Sequence, residues 1–395
     1  MAHLKLMEPV AVSLAPRDCQ KWGQWQFPQL NCMQNGGIAL TYSVGGDSNG
    51  GNKATRNAYS MDGGKTWTHT DEFPSPIGLV LPNGDLIRRR GGRFIPADDL
   101  CLPKPDKEFM WDVEYQELYR VENFPICFRG RRIERYCPES QSWKMERKLL
   151  EVPQEYMVIT SDDLIRHPFG SEGRWINLQN IQTMKVSPSG EVWLVYDYAS
   201  AQGEYPFWGV AFFVSADNGH TFEYRSHVVY DDSFTPSFYQ PPQGPEIQPP
   251  NRPPEGFNEP ALAFLPDGTA LCLMRTDSRS SCFIMRSMDG GYTWSRPEEF
   301  DTFGVRPYMV NLDNGSIVAV YGRPGVRLRA CSDPKGKVWS EPVDVLTGYD
   351  SSCSNCTMVP VGPDEVLLAY SDFHWPDGEG GYTKAIVVRR VKATV

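Results

Sequence analysis

Ser287-Met288-Asp289-Gly290-Gly291-Tyr292-Thr293-Trp294 is the stretch that decides the fold, because its pattern returns three more times along the chain. Ser60-Met61-Asp62-Gly63-Gly64-Lys65-Thr66-Trp67 and Ser215-Ala216-Asp217-Asn218-Gly219-His220-Thr221-Phe222 keep the Ser, Asp, Gly, Thr and closing aromatic. Ser332-Asp333-Pro334-Lys335-Gly336-Lys337-Val338-Trp339 keeps the spacing but has Pro and Val in the Asp and Thr places. An Asp followed by Gly suits a tight turn: the carboxylate accepts local backbone N–H bonds, and Gly supplies a positive φ. The aromatic then anchors the turn against a sheet. The motif is therefore a structural cap and carries no chemistry of its own. Its recurrence fixes the architecture.

A second repeat precedes these caps. Apolar runs meet at a turn in residues 30–41 (Asn35-Gly36), 79–87 (Asn83-Gly84), 184–196 (Ser189-Gly190), 261–274 (Asp267-Gly268), 309–321 (Asn314-Gly315) and 358–370 (Pro363-Asp364). Such turns between β-rich runs signal hairpins. The steps Gly36 to Gly84 and Gly268 to Gly315 are nearly equal, whereas Gly84 to Gly190 and Gly190 to Gly268 are longer. The excess is read as insertion, at 96–178 and 230–257, because neither gap holds another hairpin signal of this kind. A hairpin, a third strand, the Asp turn and a fourth strand make one blade. The expected fold is thus all-β: a single six-bladed β-propeller over 1–395 with two insertions. The last repeat lacks an Asp turn, so a strand from residues 10–14 is expected to seal the ring.

Composition agrees. The chain is 12% aromatic, has 35 Gly and 33 Pro, and shows no sustained helical periodicity. A net charge of −10 argues against a nucleic-acid groove, and no apolar run reaches membrane-spanning length. Residues 1–16 lack a basic start and a long apolar run, which sets the expectation of a cytoplasmic protein. Several of the ten Cys fall in or beside expected strands, where free thiols are ordinary, and Cys353-Ser354-Asn355-Cys356 has no partner pair. No metal or cofactor is expected.

In a propeller, residues just before and just after each hairpin converge around the axis. Three entrances share a Pro: Phe27-Pro28, Glu259-Pro260 and Arg306-Pro307. The exits bring Asp47, Asp197, Arg275 with Asp277, Arg323 and Asp372. Arg forks bind carboxylates in bidentate fashion, and paired carboxylic acids suit acid–base work on a glycosidic bond. Glu259 could equally cap its strand, with Arg275 as a structural partner. Arg88-Arg89-Arg90 reads as a solvated charge run.

With the Asp caps, Asn258-Glu259-Pro260-Ala261-Leu262 running through Asp267-Gly268 to Met274-Arg275 resembles the sialidase (neuraminidase) superfamily with its six-bladed propeller. The resemblance covers all the blades and is strongest over residues 258–342. It implies that Glu259 partners a nucleophilic Tyr, that Arg275 is one of three Arg binding the sugar-acid carboxylate, and that the acid/base Asp falls near Asp47. The family's Arg-Ile-Pro entrance is Gln26-Phe27-Pro28 here, and Arg93-Phe94-Ile95-Pro96 resembles it only after the first Asp cap. The nucleophile's place reads Asn355-Cys356, with Tyr349 nearby. Arg323 or Arg327 stands for the third Arg.

The resulting expectation is a sialidase-like glycoside hydrolase acting on an acidic-sugar-containing glycan. Asp47, Glu259 and Tyr349 are catalytic; Arg275, Arg306, Arg323, Asp277 and Gln26 bind substrate. The alternatives are a non-catalytic carbohydrate-binding propeller, a true exo-sialidase, and a lyase or an enzyme whose catalytic set lies in the insertions. The two insertions, one carrying the aromatic segment 108–115, are expected to decide specificity, and the Pro-dense run 241–254 to wall the cavity or to strap blades three and four together.

Overall fold

The computed structural model describes every residue except 1, 20, 47–53, 90–93, 98–99, 112–113, 154, 163–173, 178–180, 201–206, 232 and 239–253. The described chain is almost wholly β; two single-turn 3-10 helices, Val121–Asn123 and Ile126–Phe128, are its only helices. All six expected hairpins form. Gly36, Gly84, Gly190, Gly268 and Gly315 take the positive φ that their turns require.

Five sheets have four strands each and follow the expected order. The first contains Gln26–Cys32, Ile38–Ser43, Thr55–Ser60 and Thr68–Thr70, and the second Leu79–Val80, Leu86–Arg89, Arg131–Cys137 and Ser142–Lys148. Two more begin at Asn258–Phe264 and Val305–Asn311. In the last, Thr357–Gly362, Glu365–Pro376 and Tyr382–Thr394 are completed by His3–Leu14 from the N-terminus, antiparallel with Leu14 opposite Ala385.

The expectation of six equivalent four-stranded sheets needs correction. Thr183–Val186, Val192–Ser200, Trp208–Ser215 and Glu223–Val229 belong to a nine-stranded sheet. The cause is local. Val192–Ser200 outruns its hairpin partner, and its far end pairs through Ala199 and Ser200 with Tyr156 and Glu155. Strands between residues 94 and 177 thereby continue the sheet. The span 96–178 also supplies Arg131–Cys137 and Ser142–Lys148, the outer half of the second sheet.

The sheets pack face to face as a β-propeller-like ring, with an apolar wedge at five of the junctions. Leu40 and Ala58 meet Leu367 and Val388 between the first and last sheets. Ile87 and Ile133 meet Leu194 and Phe213; Trp193 and Phe212 meet Phe264 and Met285. Leu271 and Ile284 meet Met309 and Ala319, and Val318 and Leu328 meet Leu368 and Val387. The bridge Met33–Ile77 joins the first sheet to the second.

The Asp turns tie these wedges together. Ser287 Oγ donates to Asp289 Oδ1 and accepts the Gly291 N–H; Asp289 in turn accepts the N–H and hydroxyl of Thr293. The turns at Ser60 and Ser215 repeat the pattern. The fourth keeps its carboxylate one position earlier than the spacing suggests: Asp333 accepts the N–H groups of Lys337 and Val338. In three of the turns the glycine lies flat against the next sheet. A Cβ would sit 2.6 Å from Leu367 at Gly64, 2.7 Å from Trp193 at Gly291 and 2.9 Å from Leu271 at Gly336.

Candidate active site on the ring axis

The three X-Pro entrances share a backbone device. Phe27, Glu259 and Arg306 have φ of 57°, 48° and 49°, and the ladder slips at each: Gln26/Gln29, Asn258/Ala261 and Val305/Tyr308. Proline offers no N–H to the ladder and bars the helical region to the residue before it, so the chain leaves the strand for one step as a bulge. A positive φ at a non-glycine residue costs on the order of 1–3 kcal/mol, and such strain gathers at functional sites. Here it turns one residue per strand away from the ladder.

Those residues link neighbouring sheets. Glu259 donates its N–H to Asp197 Oδ2 at 3.3 Å, and Arg306 donates its N–H to Glu259 Oε2 at 2.8 Å. Arg275 Nη1 lies 3.3 Å from Glu259 Oε1, while its Nη2 donates to Glu255 Oε1 at 3.2 Å and to Ser278 Oγ at 2.9 Å. Arg306 Nη1 is 3.9 Å from Glu259 and donates to Gln182 Oε1 at 2.7 Å. Arg323 donates to the Cys353 carbonyl and Ser278 Oγ, with its guanidinium 5.5 Å from the centre of the Trp22 ring. Trp22 itself packs edge-on with Phe27 and Phe373.

The environments push the carboxyl groups apart. Burial alone would raise Glu259, but Arg275, Arg306 and the Arg306 N–H outweigh it and hold the carboxylate below its usual range. Burial dominates at Asp197, which keeps its proton to higher pH, and likewise at Glu255 despite Arg275. The two carboxylates raise Arg275 against its own burial. Arg89 and Arg323 are both lowered, burial being the largest cause. Among the described residues neither has a carboxylate within 4.0 Å.

Of the expected site residues, Glu259, Arg275, Arg306 and Arg323 come together, and Asp277 is buried close enough to Arg275 to raise it. Gln26 is fully enclosed, with both amide atoms unpartnered among the described residues, so it offers no surface to a ligand. The bulge turns Phe27 rather than Gln26 out of the ladder. Tyr349 lies under the Arg279 guanidinium, 5.3 Å away. Arg327 pairs with Asp344 and Asp301 on the side of its sheet. Asp47 and Arg93 fall outside the described residues. All ten cysteines are free, and Cys353 and Cys356 are buried.

Sequence reasoning missed Gln182, Glu255, Trp22 and Arg89. The reading of Arg88-Arg89 as a solvated face is overturned: both belong to the strand Leu86–Arg89, where successive side chains take opposite faces. Arg88 pairs with Glu134 at 2.7 Å and stacks on Trp143; Arg89 turns to the carbonyls of Ile181 and Gln182. Strand alternation was the signal that could have separated them.

A crystal structure of a protein of unknown function from Dyadobacter fermentans DSM 18053 shares 19% identity with this chain over 99% of both, with a TM-score of 0.65. The likeness is one of fold. Weaker similarities include the Hadza microbial sialidase Hz136, 13% identical over 93% of this chain and 65% of its own, TM-score 0.49. Penicillium chrysogenum alpha-L-arabinanase is 13% identical over 97% of this chain and 98% of its own, TM-score 0.49. No protein-family profile and no curated protein matches the sequence.

Proposed function

We propose that the protein is a sialidase-like glycoside hydrolase whose substrate is a glycan bearing an acidic sugar. The observation that carries this reading is Glu259, a carboxylate kept ionised by Arg275 and Arg306 directly beside Asp197, a carboxyl that holds its proton to higher pH. Hydrolysis of a glycosidic bond needs such a pair, one group to activate the nucleophile and one to protonate the leaving oxygen. Glu259 activates water, or Tyr349 if the loop carrying it turns inward, while Asp47 or Asp197 supplies the proton. Arg275, Arg306 and Arg323 draw the acidic sugar into register. We read 183–229 as the sixth blade, its regular form masked by the added strands, and 96–178 and 230–257 as the segments that set specificity.

Reducing-end release from a panel of acidic oligosaccharides tests the proposal. Turnover is expected on at least one member, and Glu259→Gln should lower it about 10²- to 10⁴-fold with binding retained. An aryl sialoside should release almost nothing, because the first blade's entrance carries the neutral amide of Gln26 where a guanidinium would be needed. Tight binding with no release from any member would instead favour a carbohydrate-binding propeller. The enclosed Gln26 favours that second reading.

A further inference from the structure

Arg89 has no part in the hydrolytic scheme above, yet its surroundings call for an anion. It ends the strand Leu86–Arg89 and is half-buried. Among the described residues its side chain makes two long hydrogen bonds, both from Nη1, 3.3 Å to the Ile181 carbonyl and 3.4 Å to that of Gln182. A guanidinium carries five N–H donors, so most of this one's capacity is unspent. The run Arg88-Arg89-Arg90-Gly91-Gly92-Arg93 contributes no acidic residue of its own.

A second cation approaches the same spot. Arg306 donates to the side-chain carbonyl of Gln182 and Arg89 to its backbone carbonyl, so two guanidinium groups from different sheets converge on one neutral residue. Their repulsion registers on Arg89: burial first, then Arg306, brings it down to about 10. Tyr308, half-buried beside them, feels both cations as well. Arg306 is partly offset by Glu259 at 3.9 Å; Arg89 has no carboxylate within 4.0 Å among the described residues, and Asp197 acts on it only from farther away, too weakly to outweigh burial and Arg306. Buried charge is costly until paired.

We propose that Arg89, with Arg306 and Gln182, forms an oxyanion site on the axis, for a carboxylate, sulfate or phosphate group. Arg89 would hold the oxyanion through its fork, and Arg306 would share the charge between this group and Glu259. Only the source of the anion rests on the hydrolase reading: on that reading it is a second acidic substituent of the glycan, carried past Arg306 from the bond at Glu259.

Calorimetric titration of the whole protein with sodium sulfate, at constant ionic strength set by sodium chloride, tests the site without any turnover. Saturable sulfate binding is expected. Arg89→Met should weaken it at least about 10-fold, Arg89→Lys should retain part of it, and Arg88→Met, on the opposite face of the same strand and paired with Glu134, should leave it in place. Crystals of the unaltered protein soaked in selenate should show the anion at the Arg89 guanidinium, whether or not a variant folds. Absence of saturable binding, an unchanged affinity in a folded Arg89→Met, or selenate found only elsewhere overturns the proposal. An oligosaccharide with two acidic groups that binds more tightly than its singly acidic counterpart, with the gain lost in Arg89→Met, identifies the substrate as the source. Equal affinity of the two identifies a free inorganic anion. Sulfate binding without hydrolysis would sink the enzyme reading and leave this one standing.

Discussion

Replacing Arg275 with Met tests the core of the axial network. The guanidinium is 13% exposed and stands between Glu255 and Glu259, each 18% exposed, at 3.2 and 3.3 Å. Methionine fills much of the same volume but leaves two enclosed carboxylates without their principal counter-charge. Removing one partner from a buried ion pair costs about 3–5 kcal/mol, and that is the loss of stability expected at pH 7. The pH dependence gives the mechanism away. In the native protein Glu259 is depressed, so its stabilising contribution is present above the unfolded value of about 4.3 and is lost as pH falls through the folded one. In the variant, burial raises both carboxyls, and a raised carboxyl destabilises as pH climbs through its folded value. Both effects narrow the gap on acidification, so the deficit should shrink toward pH 4. Adding Glu255→Gln removes one of the stranded charges and should recover about 1–3 kcal/mol. Urea denaturation of the four proteins of this cycle at pH 7 and pH 4 supplies the measurement. A deficit below about 1 kcal/mol at pH 7, or one equal at both pH values, would refute the reasoning.

Two further outcomes follow from the same structure. Lys185, bonded to the Met309 carbonyl and facing the Tyr308 ring, is pushed by burial from 10.5 down to about 8. Its folded form therefore binds fewer protons than the unfolded chain between these values. Lys185→Met should be more stable than the parent by about 1–2 kcal/mol at pH 7, with the advantage fading as pH rises from 8 toward 10.5; a pH-independent difference in denaturation midpoint would count against this. Gly290 and Gly291 both have positive φ, but only at Gly291 would a Cβ strike Trp193. Gly290→Ala should cost about 1 kcal/mol and Gly291→Ala about 2–4, and equal losses would mean that the turn does not seat against the neighbouring sheet as described.

What the sequence determined by itself is everything written in neighbouring residues. Asn-Gly and Asp-Gly bend a chain without help from distant partners, so all six hairpins were legible, and the Ser-Asp-Gly-aromatic turns announced their own hydrogen bonds. The Pro after Phe27, Glu259 and Arg306 marked where each strand breaks step, since proline acts on the residue before it. The unpaired last repeat even pointed to the N-terminal strand that completes it. Tertiary structure decided what lies across the junctions between sheets. Whether Arg89 meets solvent or Gln182, whether Gln26 or Phe27 leaves the ladder, and whether Asp197 reaches the N–H of Glu259 depend on how neighbouring sheets rotate against one another. The capture of Val192–Ser200 by a nine-stranded sheet depends on a free edge meeting a distant strand. Local turn chemistry is encoded within a few residues, whereas the charge balance at the axis exists only once segments far apart in the chain have been brought together by closure of the ring.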